Sequence, residues 1–427
     1  MKLFGTDGIR GVFNETINCS TAYKLGICLV ELSKEEAPII IIGRDTRLSG
    51  GKLLSALATG IIEKGGKPIN IGILPTNAVS YFVRITNAAY GVMVSASHNP
   101  PQYNGLKVFD KYGIKICAEK EKLIEDMFIQ DIIYIDPILD LPYIKNAQNM
   151  YIRYLLKHIG ILSNVSVTLD CCFGSASYTA PKAFESIGAL VIKINNEYNG
   201  AYINKNCGAT VTECMLTEQK HYKTDLAFSF DGDADRLAVY ENGEIIEPNY
   251  VFYVIAKYMQ EIGELKGKAV GTILTNEGLE LSLNKIGIEL FRSEVGDANV
   301  FRLMVKKGTV FGGEDSGHYM LTKYTLTSDA ILNALFITKI HNEKGSIKDY
   351  GKELTLFPSC NLSIPWFDED NERIERIKKA VKLKYPTIRT IIRKSGTEPK
   401  LRILAESSST DLSSICSSIA DLCEEIK

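Results

Sequence analysis

The sequence predicts an α/β protein of several domains, three similar units in series followed by a small α+β unit. Three observations carry this reading. A chain of 427 residues is too long for one hydrophobic core, so about three or four domains are expected. Its first two-thirds alternate short apolar runs with helix-like segments, the pattern of strands and helices packed in layers. And one pattern recurs, a helix end, a glycine, a short apolar strand and a loop. It stands at Glu63-Lys-Gly-Gly-Lys-Pro-Ile-Asn-Ile-Gly, at Glu185-Ser-Ile-Gly-Ala-Leu-Val-Ile-Lys-Ile and at Asn284-Lys-Ile-Gly-Ile-Glu-Leu-Phe-Arg-Ser. The copies lie roughly a hundred residues apart, which suits domains in series.

The elements follow in chain order. Ile39 to Ile42 is a continuous apolar run, as in a strand buried on both faces. Gly50 to Lys64 reads as a helix stopped by Gly65 and Gly66. Gly91 to Val94 is a second buried strand, and it delivers Ser97 to a loop holding Pro100 and Pro101. Loops beyond strand ends are where α/β proteins bind ligands. Leu226–Phe230 and Leu237–Tyr240 read as strands on either side of an acidic loop. After Pro358 the pattern changes to a helix near Asn371–Leu383, strands at Thr390–Ile392 and Leu401–Ala405, and a closing helix.

Composition narrows the function. Basic and acidic residues nearly cancel, 49 against 51, so no global field attracts nucleic acid, and anionic ligands must be met by local clusters. No apolar run approaches the ~18–20 residues of a membrane span. The N-terminal residues lack a signal-peptide pattern and enter a glycine-rich motif at once. None of the ten cysteines forms a C-x-x-C pair, so they read as reduced thiols of a cytoplasmic protein rather than as zinc ligands.

The chemistry gathers in five motifs. Val94-Ser-Ala-Ser97-His98-Asn-Pro-Pro offers a hydroxyl on a loop, followed by Asn104-Gly-Leu-Lys107. Asp231, Asp233 and Asp235 stand at every second position before Arg236, so a turned backbone converges their carboxylates. Such like charges repel unless a cation or proton intervenes. The loop is no EF-hand, because Arg236 and Asn242 occupy the positions that need glycine and glutamate. A hydroxyl that carries a phosphoryl group needs a hard cation beside it, and three aspartates hold one, so the pair points to a serine phosphorylated beside Mg²⁺. A Ser-His-Asp hydrolase would want a G-x-S-x-G elbow, which is absent. Lys107 can balance phosphate charge or move a proton.

Phe4-Gly-Thr-Asp-Gly-Ile-Arg10-Gly sets three glycines around an arginine suited to an anion. Gly43-Arg-Asp-Thr-Arg-Leu-Ser-Gly50 reads equally as an anion loop or a salt-bridged turn between domains. Gly312-Gly-Glu314-Asp-Ser316-Gly-His318 suits paired hydrogen bonds to neighbouring sugar hydroxyls, with His318 either structural or on the substrate side. Arg393-Lys-Ser395-Gly396-Thr397-Glu-Pro-Lys-Leu-Arg402 is a strand–turn–strand loop whose guanidiniums, hydroxyls and backbone N–H groups suffice for a phosphate dianion.

With these five motifs in this order, the chain resembles the α-D-phosphohexomutases. The opening motif, Asn199–Thr210 and Arg393–Pro399 make it most similar to the bacterial branch acting on glucosamine phosphate. The resemblance implies a four-domain architecture, three similar α/β domains with mixed sheets plus a C-terminal α+β domain, with the active site in a central cleft. The expected boundaries are 1–145, 146–247, 248–358 and 359–427. It implies that Ser97 is the phosphoserine and that Asp231, Asp233 and Asp235 bind one Mg²⁺ with it. Arg10, His98, Lys107 and Arg236 would surround the transferring phosphoryl group. Glu314, Ser316 and His318 would meet the sugar, and Arg393, Ser395, Gly396, Thr397 and Arg402 the phosphate that is not reacting. The implied reaction interconverts glucosamine 6-phosphate and glucosamine 1-phosphate through a hexose 1,6-bisphosphate, with glucose or mannose phosphates, or a poorly active phosphosugar-binding protein, as the alternatives. A homodimer is implied as well.

Three positions depart from the family pattern. Ala234 replaces a glycine of the metal loop, so a positive φ there would cost about 1 kcal/mol or more. Val295-Gly-Asp-Ala298 lacks an arginine at its end, and Thr327-Ser-Asp-Ala330 lacks a glycine.

Overall fold

A computed structural model describes residues 3–5, 7–128, 134, 140–162, 164–367, 371–394, 399–408 and 412–426. Four sheets succeed one another along the chain. The first holds β1 (Ile9–Val12), β2 (Ile39–Arg44), β3 (Lys67–Ile73), β4 (Tyr90–Val94) and β5 (Tyr103–Asp110), in the order β1-β5-β4-β2-β3. The second holds β6 (Ser166–Asp170), β7 (Leu190–Ile194), β8 (Leu226–Phe230), β9 (Leu237–Glu241) and β10 (Glu244–Ile246), in the order β10-β9-β8-β6-β7. The third holds β11 (Lys268–Thr272), β12 (Glu289–Ser293), β13 (Phe311–Gly313) and β14 (Tyr319–Leu321), in the order β12-β11-β13-β14. The last is a three-stranded antiparallel sheet of β15 (Ser359–Pro365), β16 (Arg389–Lys394) and β17 (Lys400–Glu406), with β17 in the centre.

The weak sequence repeat is a repeat of topology. Four consecutive strands, beginning at β2, β6 and β11, share one pattern in the first three sheets: the first of the four pairs in parallel with the second and third, and the third pairs antiparallel with the fourth, while β1 adds an antiparallel edge to the first sheet. The repeated segments are the second strands, β3, β7 and β12, each at the parallel edge. The connection from third to fourth strand is therefore the same place in all three units. It carries Ser97 between β4 and β5, the aspartates between β8 and β9, and Glu314 between β13 and β14. Three separate motifs occupy one topological position.

Burial on both faces explains why β2 is apolar without alternation. Ile40 and Ile42 enter a core beneath the helices Cys19–Ser33 and Gly50–Glu63, while Ile41 enters a second core. That second core runs without a break through the first three units, from Phe82 on helix Thr76–Thr86 to Phe184, Phe228, Tyr258 and Phe311. The last sheet keeps its own core, centred on Ile377, Leu401, Ile403 and Ile419.

One sequence expectation fails here. Cys360 on β15 and Cys416 on the closing helix Ser413–Glu425 are joined as a disulfide, their Cα atoms 6.5 Å apart. The remaining eight cysteines are thiols outside any disulfide. The partners are 56 residues apart in sequence and meet only because the helix packs on the sheet. No helix among the described residues is long and apolar enough to cross a membrane.

The first two helices owe their contact to glycine. A Cβ on Gly60 would stand 2.1 Å from the carbonyl oxygen of Tyr23, backbone that cannot step aside. Gly60→Ala is expected to lower stability by about 1–3 kcal/mol through this overpacking, as read from the urea midpoint. An unchanged midpoint would mean that the helices separate freely.

Candidate active site

One of the contacts between the first and second units is made by a hydroxyl. Ser97 Oγ donates to Asp231 Oδ2 at 2.6 Å across 134 residues of chain. Both side chains are buried, as are Asp233, Asp235 and Lys107. Ser97 takes a left-handed backbone at φ 52°, uncommon for a residue with a side chain. Gly232 permits the approach of the two loops, because a Cβ there would lie 2.8 Å from the Ser97 carbonyl oxygen.

The carboxylates of Asp231, Asp233 and Asp235 offer oxygens within 4.8 Å of one another, the one such cluster among the described residues. Asp231 Oδ1 accepts from the N–H groups of Asp235 and Arg236 at 3.1 Å each, which curls the loop. Thr76 Oγ1 donates to Asp233 Oδ2. Asp233 Oδ1 and Asp235 Oδ1 are buried without a hydrogen-bond partner. Three buried carboxylates whose oxygens converge, two of them with an oxygen left unsatisfied, are what a hard divalent cation fits. The donor set therefore suits Mg²⁺.

Cations surround this acidic centre. Lys107 Nζ lies 2.7 Å from both Asp233 Oδ2 and Asp235 Oδ2, and 3.1 Å from Asp7 Oδ2. Strand pairing sets this up, because β1 runs antiparallel to β5 and brings Arg10 opposite Gly105. Arg10 pairs with Asp7. Burial opposes the charge on Lys107, but Asp233, Asp235 and Asp7 outweigh it and hold its pKa well above the ordinary value. Burial likewise opposes ionisation of Asp235, and Lys107, His318 and Lys115 outweigh it, so Asp235 stays ionised. Asp231 goes the other way. Burial and then the Asp235 and Asp233 charges push it up to about 8. His98 is brought down to about 3 by burial, Arg236 and Arg10, and its buried Nδ1 has no hydrogen-bond partner.

The third unit closes the other side. Glu314 Oε1 accepts from the Gly296 N–H at 2.8 Å. His318 Nε2 lies 3.5 Å from Asp297 Oδ2, and its Nδ1 3.9 Å from Asp235 Oδ1. Ser316 is exposed and, with Arg236, Asp315 and Thr210, lines a cavity of about 310 Å³. From the last unit, Arg393 reaches this region, where burial and then Arg402 lower its pKa while Asp315 and Glu314 oppose them. Its Nε is buried without a hydrogen-bond partner. Arg393 and Arg402 face each other across β16 and β17. Two guanidiniums side by side suit an anion between them. Ser395, Gly396 and Thr397 lie outside the described residues.

Several residues here escaped the sequence reading. Lys115 pairs with Asp7 and with Asp297, supplying a cation from the first unit beside Ala298, where the family's arginine is missing. No local signal marks Lys115. Thr76, Arg47 and Asn204 also support the two loops, and the last two lie in motifs whose purpose the sequence leaves open. The departures Ala234 and Ala330 turn out to share a hydrogen bond, Ala330 N–H donating to the Ala234 carbonyl at 3.0 Å.

Comparison with known proteins shows the family. The chain matches the α/β/α domains I, II and III of phosphoglucomutase/phosphomannomutase over residues 1–132, 142–244 and 247–356, and the C-terminal domain over residues 362–422. The chain belongs to the phosphoglucomutase/phosphomannomutase family. It is 40% identical over 423 residues to phosphoglucosamine mutase of Dictyoglomus turgidum, covering 95% of this chain and 94% of that protein. To phosphoglucosamine mutase of Clostridium acetobutylicum it is 36% identical, covering 99% of each. Among solved structures, a phosphoglucomutase/phosphomannomutase family protein from Burkholderia thailandensis has the same fold, with a TM-score of 0.85 at 20% identity over 100% of this chain and 96% of that one. N-acetylphosphoglucosamine mutase of Aspergillus fumigatus, solved in complex with GlcNAc-6P and magnesium, aligns at a TM-score of 0.65 and 15% identity over 99% and 94%.

Two outcomes follow. Ala234 does adopt a left-handed backbone, at φ 54°. Ala234→Gly would relieve ~1 kcal/mol of strain but lose a buried methyl worth ~0.8 kcal/mol and loosen the unfolded chain, so stability is expected to change by less than about 1 kcal/mol. A larger gain in thermal unfolding would mean that the strain is not offset. For His98, the folded pKa of about 3 lies below the ordinary 6.5. Below pH 6.5 the unfolded chain binds a proton that the folded protein refuses, so this contribution to stability is present above 6.5 and declines towards pH 3. In metal-free protein the His98 ring should show no NMR titration midpoint between pH 5 and 8, and a midpoint there would overturn the assignment.

Proposed function

We propose that this protein is a phosphoglucosamine mutase, interconverting glucosamine 6-phosphate and glucosamine 1-phosphate through phospho-Ser97 and a hexose 1,6-bisphosphate. The observation that carries the reading is the Ser97 hydroxyl, 2.6 Å from a buried aspartate of a three-carboxylate cluster. Full-length relatives with this name, at 36–40% identity, support the choice of sugar.

The chemistry asks little covalent work of the protein. In the first step the bond between Ser97 Oγ and phosphorus breaks while a sugar hydroxyl takes the phosphoryl group, and the proton that hydroxyl gives up ends on the freed Ser97 Oγ; the second step reverses both transfers at the other end of the sugar. Catalysis then rests on positioning and charge neutralisation. Asp231, Asp233 and Asp235, with the Ser97 phosphate, would hold Mg²⁺, which supplies charge neutralisation at the phosphoryl oxygens. Lys107, ion-paired with Asp233 and Asp235, would balance phosphate charge. Arg10 and Arg236 add fixed positive charge on either side. His98 stays uncharged and offers its unpartnered Nδ1 to a hydrogen bond. Glu314 and Ser316 would meet sugar hydroxyls, and Arg393 and Arg402 the second phosphate, so that either end of the sugar can face Ser97. The protein would work in the cytoplasm, as a homodimer, without membrane or nucleic-acid partners.

With Mg²⁺ and a trace of glucose 1,6-bisphosphate, the wild type is expected to convert glucosamine 6-phosphate faster than glucose or mannose 6-phosphate. Ser97→Ala should fall below about a thousandth of that rate, and a chelator should abolish turnover until Mg²⁺ is restored. Unchanged turnover by Ser97→Ala would remove the phosphoserine from the mechanism, and faster conversion of glucose or mannose phosphate would reassign the substrate.

A further inference from the structure

Two motifs take no part in the chemistry above, Gly43–Gly50 of the first unit and Asn199–Thr210 of the second. In the fold they lie on each other. A Cβ on Gly200 would stand 2.1 Å from the Thr46 carbonyl oxygen and 2.8 Å from the Arg47 Cα. Both then turn towards the Ser97 loop.

Arg47 is 1% exposed, and its guanidinium is spent on that loop's backbone. Its Nη2 donates to the carbonyls of Ser97 at 2.8 Å and Asn99 at 2.7 Å, and its Nη1 to Pro100 at 2.5 Å and Tyr103 at 2.9 Å. Asp45 fixes the fork from behind, accepting from Arg47 Nε at 2.9 Å. The same carboxylate oxygen accepts from Ser95 Oγ at 2.6 Å, and Ser95 Oγ in turn accepts from the Ser97 N–H at 2.9 Å. The left-handed backbone of Ser97 is thus held at both its amide and its carbonyl. An unfavourable backbone persists where its surroundings over-determine it.

Asn204 adds what Arg47 cannot, a link to the metal loop. Its Nδ2 donates to the same two carbonyls, Ser97 at 2.8 Å and Asn99 at 3.0 Å. Its Oδ1 accepts from the Gly232 N–H at 3.1 Å, between Asp231 and Asp233. One amide spans the gap between the serine loop and the aspartate loop, which belong to different units. Neither Arg47 nor Asn204 is bonded to the reacting hydroxyl or to a carboxylate of the trio.

We propose that Asn204, seated against the Arg47 fork, is the positioning residue that sets the distance between the Ser97 hydroxyl and the three aspartates. This rests on the mutase reading, since only a phosphoryl-carrying serine beside a cation needs that distance fixed. A lengthened gap would weaken the cation and slow the transfer, but leave the sugar's own contacts intact.

The test compares wild type with Asn204→Ala, Asn204→Asp and Arg47→Lys by direct Mn²⁺ binding, by phosphorylation of Ser97 from glucose 1,6-bisphosphate followed by intact mass, and by steady-state kinetics. Asn204→Asp keeps the shape and the acceptor for Gly232 but loses the donor, and it carries the comparison if the alanine variant does not fold. The expected result is a Mn²⁺ dissociation constant weaker by about tenfold or more, slower Ser97 phosphorylation, and kcat reduced at least ~30-fold with the sugar KM within about twofold. Wild-type Mn²⁺ affinity and kcat in both Asn204 variants, or a rise in KM alone, would overturn the proposal. An inactive wild type would instead reject the mutase reading, while the Mn²⁺ comparison still decides whether Asn204 sets the distance.

Discussion

Everything in this molecule is arranged around bringing one serine hydroxyl against a buried cluster of like charges. Three aspartates within 4.8 Å of one another are unstable company in a dry interior. They are tolerable because Lys107, Lys115 and Arg10 surround them and because two of their oxygens remain open to a cation. The acidities of Asp231 and Asp235 then depend on their neighbours rather than on their type. Asp235 is held ionised, while Asp231, which meets the hydroxyl, is pushed up to about 8. A single loop of five residues thereby offers both a strong anion and a weak one.

The repeated architecture explains how so many charges can be assembled without a dedicated scaffold. Each of the first three units ends its parallel strands at the same connection, and each contributes that connection to the site. The first gives the hydroxyl, the second the carboxylates, and the third Glu314 and His318. A core shared by the three units holds these connections in register. The fourth unit keeps a separate core and reaches the site through Arg393. A part with its own core can shift as a body.

The strands, their loops and the acidic trio were legible because each is a local pattern. Leu226–Phe230 and the run from Ile39 announce themselves by apolar continuity, and spacing by two converges Asp231, Asp233 and Asp235 on a turn. The weak repeat was legible as well, though its meaning as a common sheet topology was not. Glycine and alanine told part of the story, since the left-handed backbone at Ala234 follows from the glycine it replaces.

What the chain settles by itself, then, is which segments become strands and which loops hold chemistry, because those depend on neighbours a few residues away. Only the tertiary structure decided the partners of Arg47, Asn204 and Lys115, and the pairing of Cys360 with Cys416. Arg47 meets its carbonyls 50 to 56 residues away, and Asn204 reaches Ser97 across 107. Contacts at such separations are fixed by how sheets and helices pack, and packing leaves no period in the sequence.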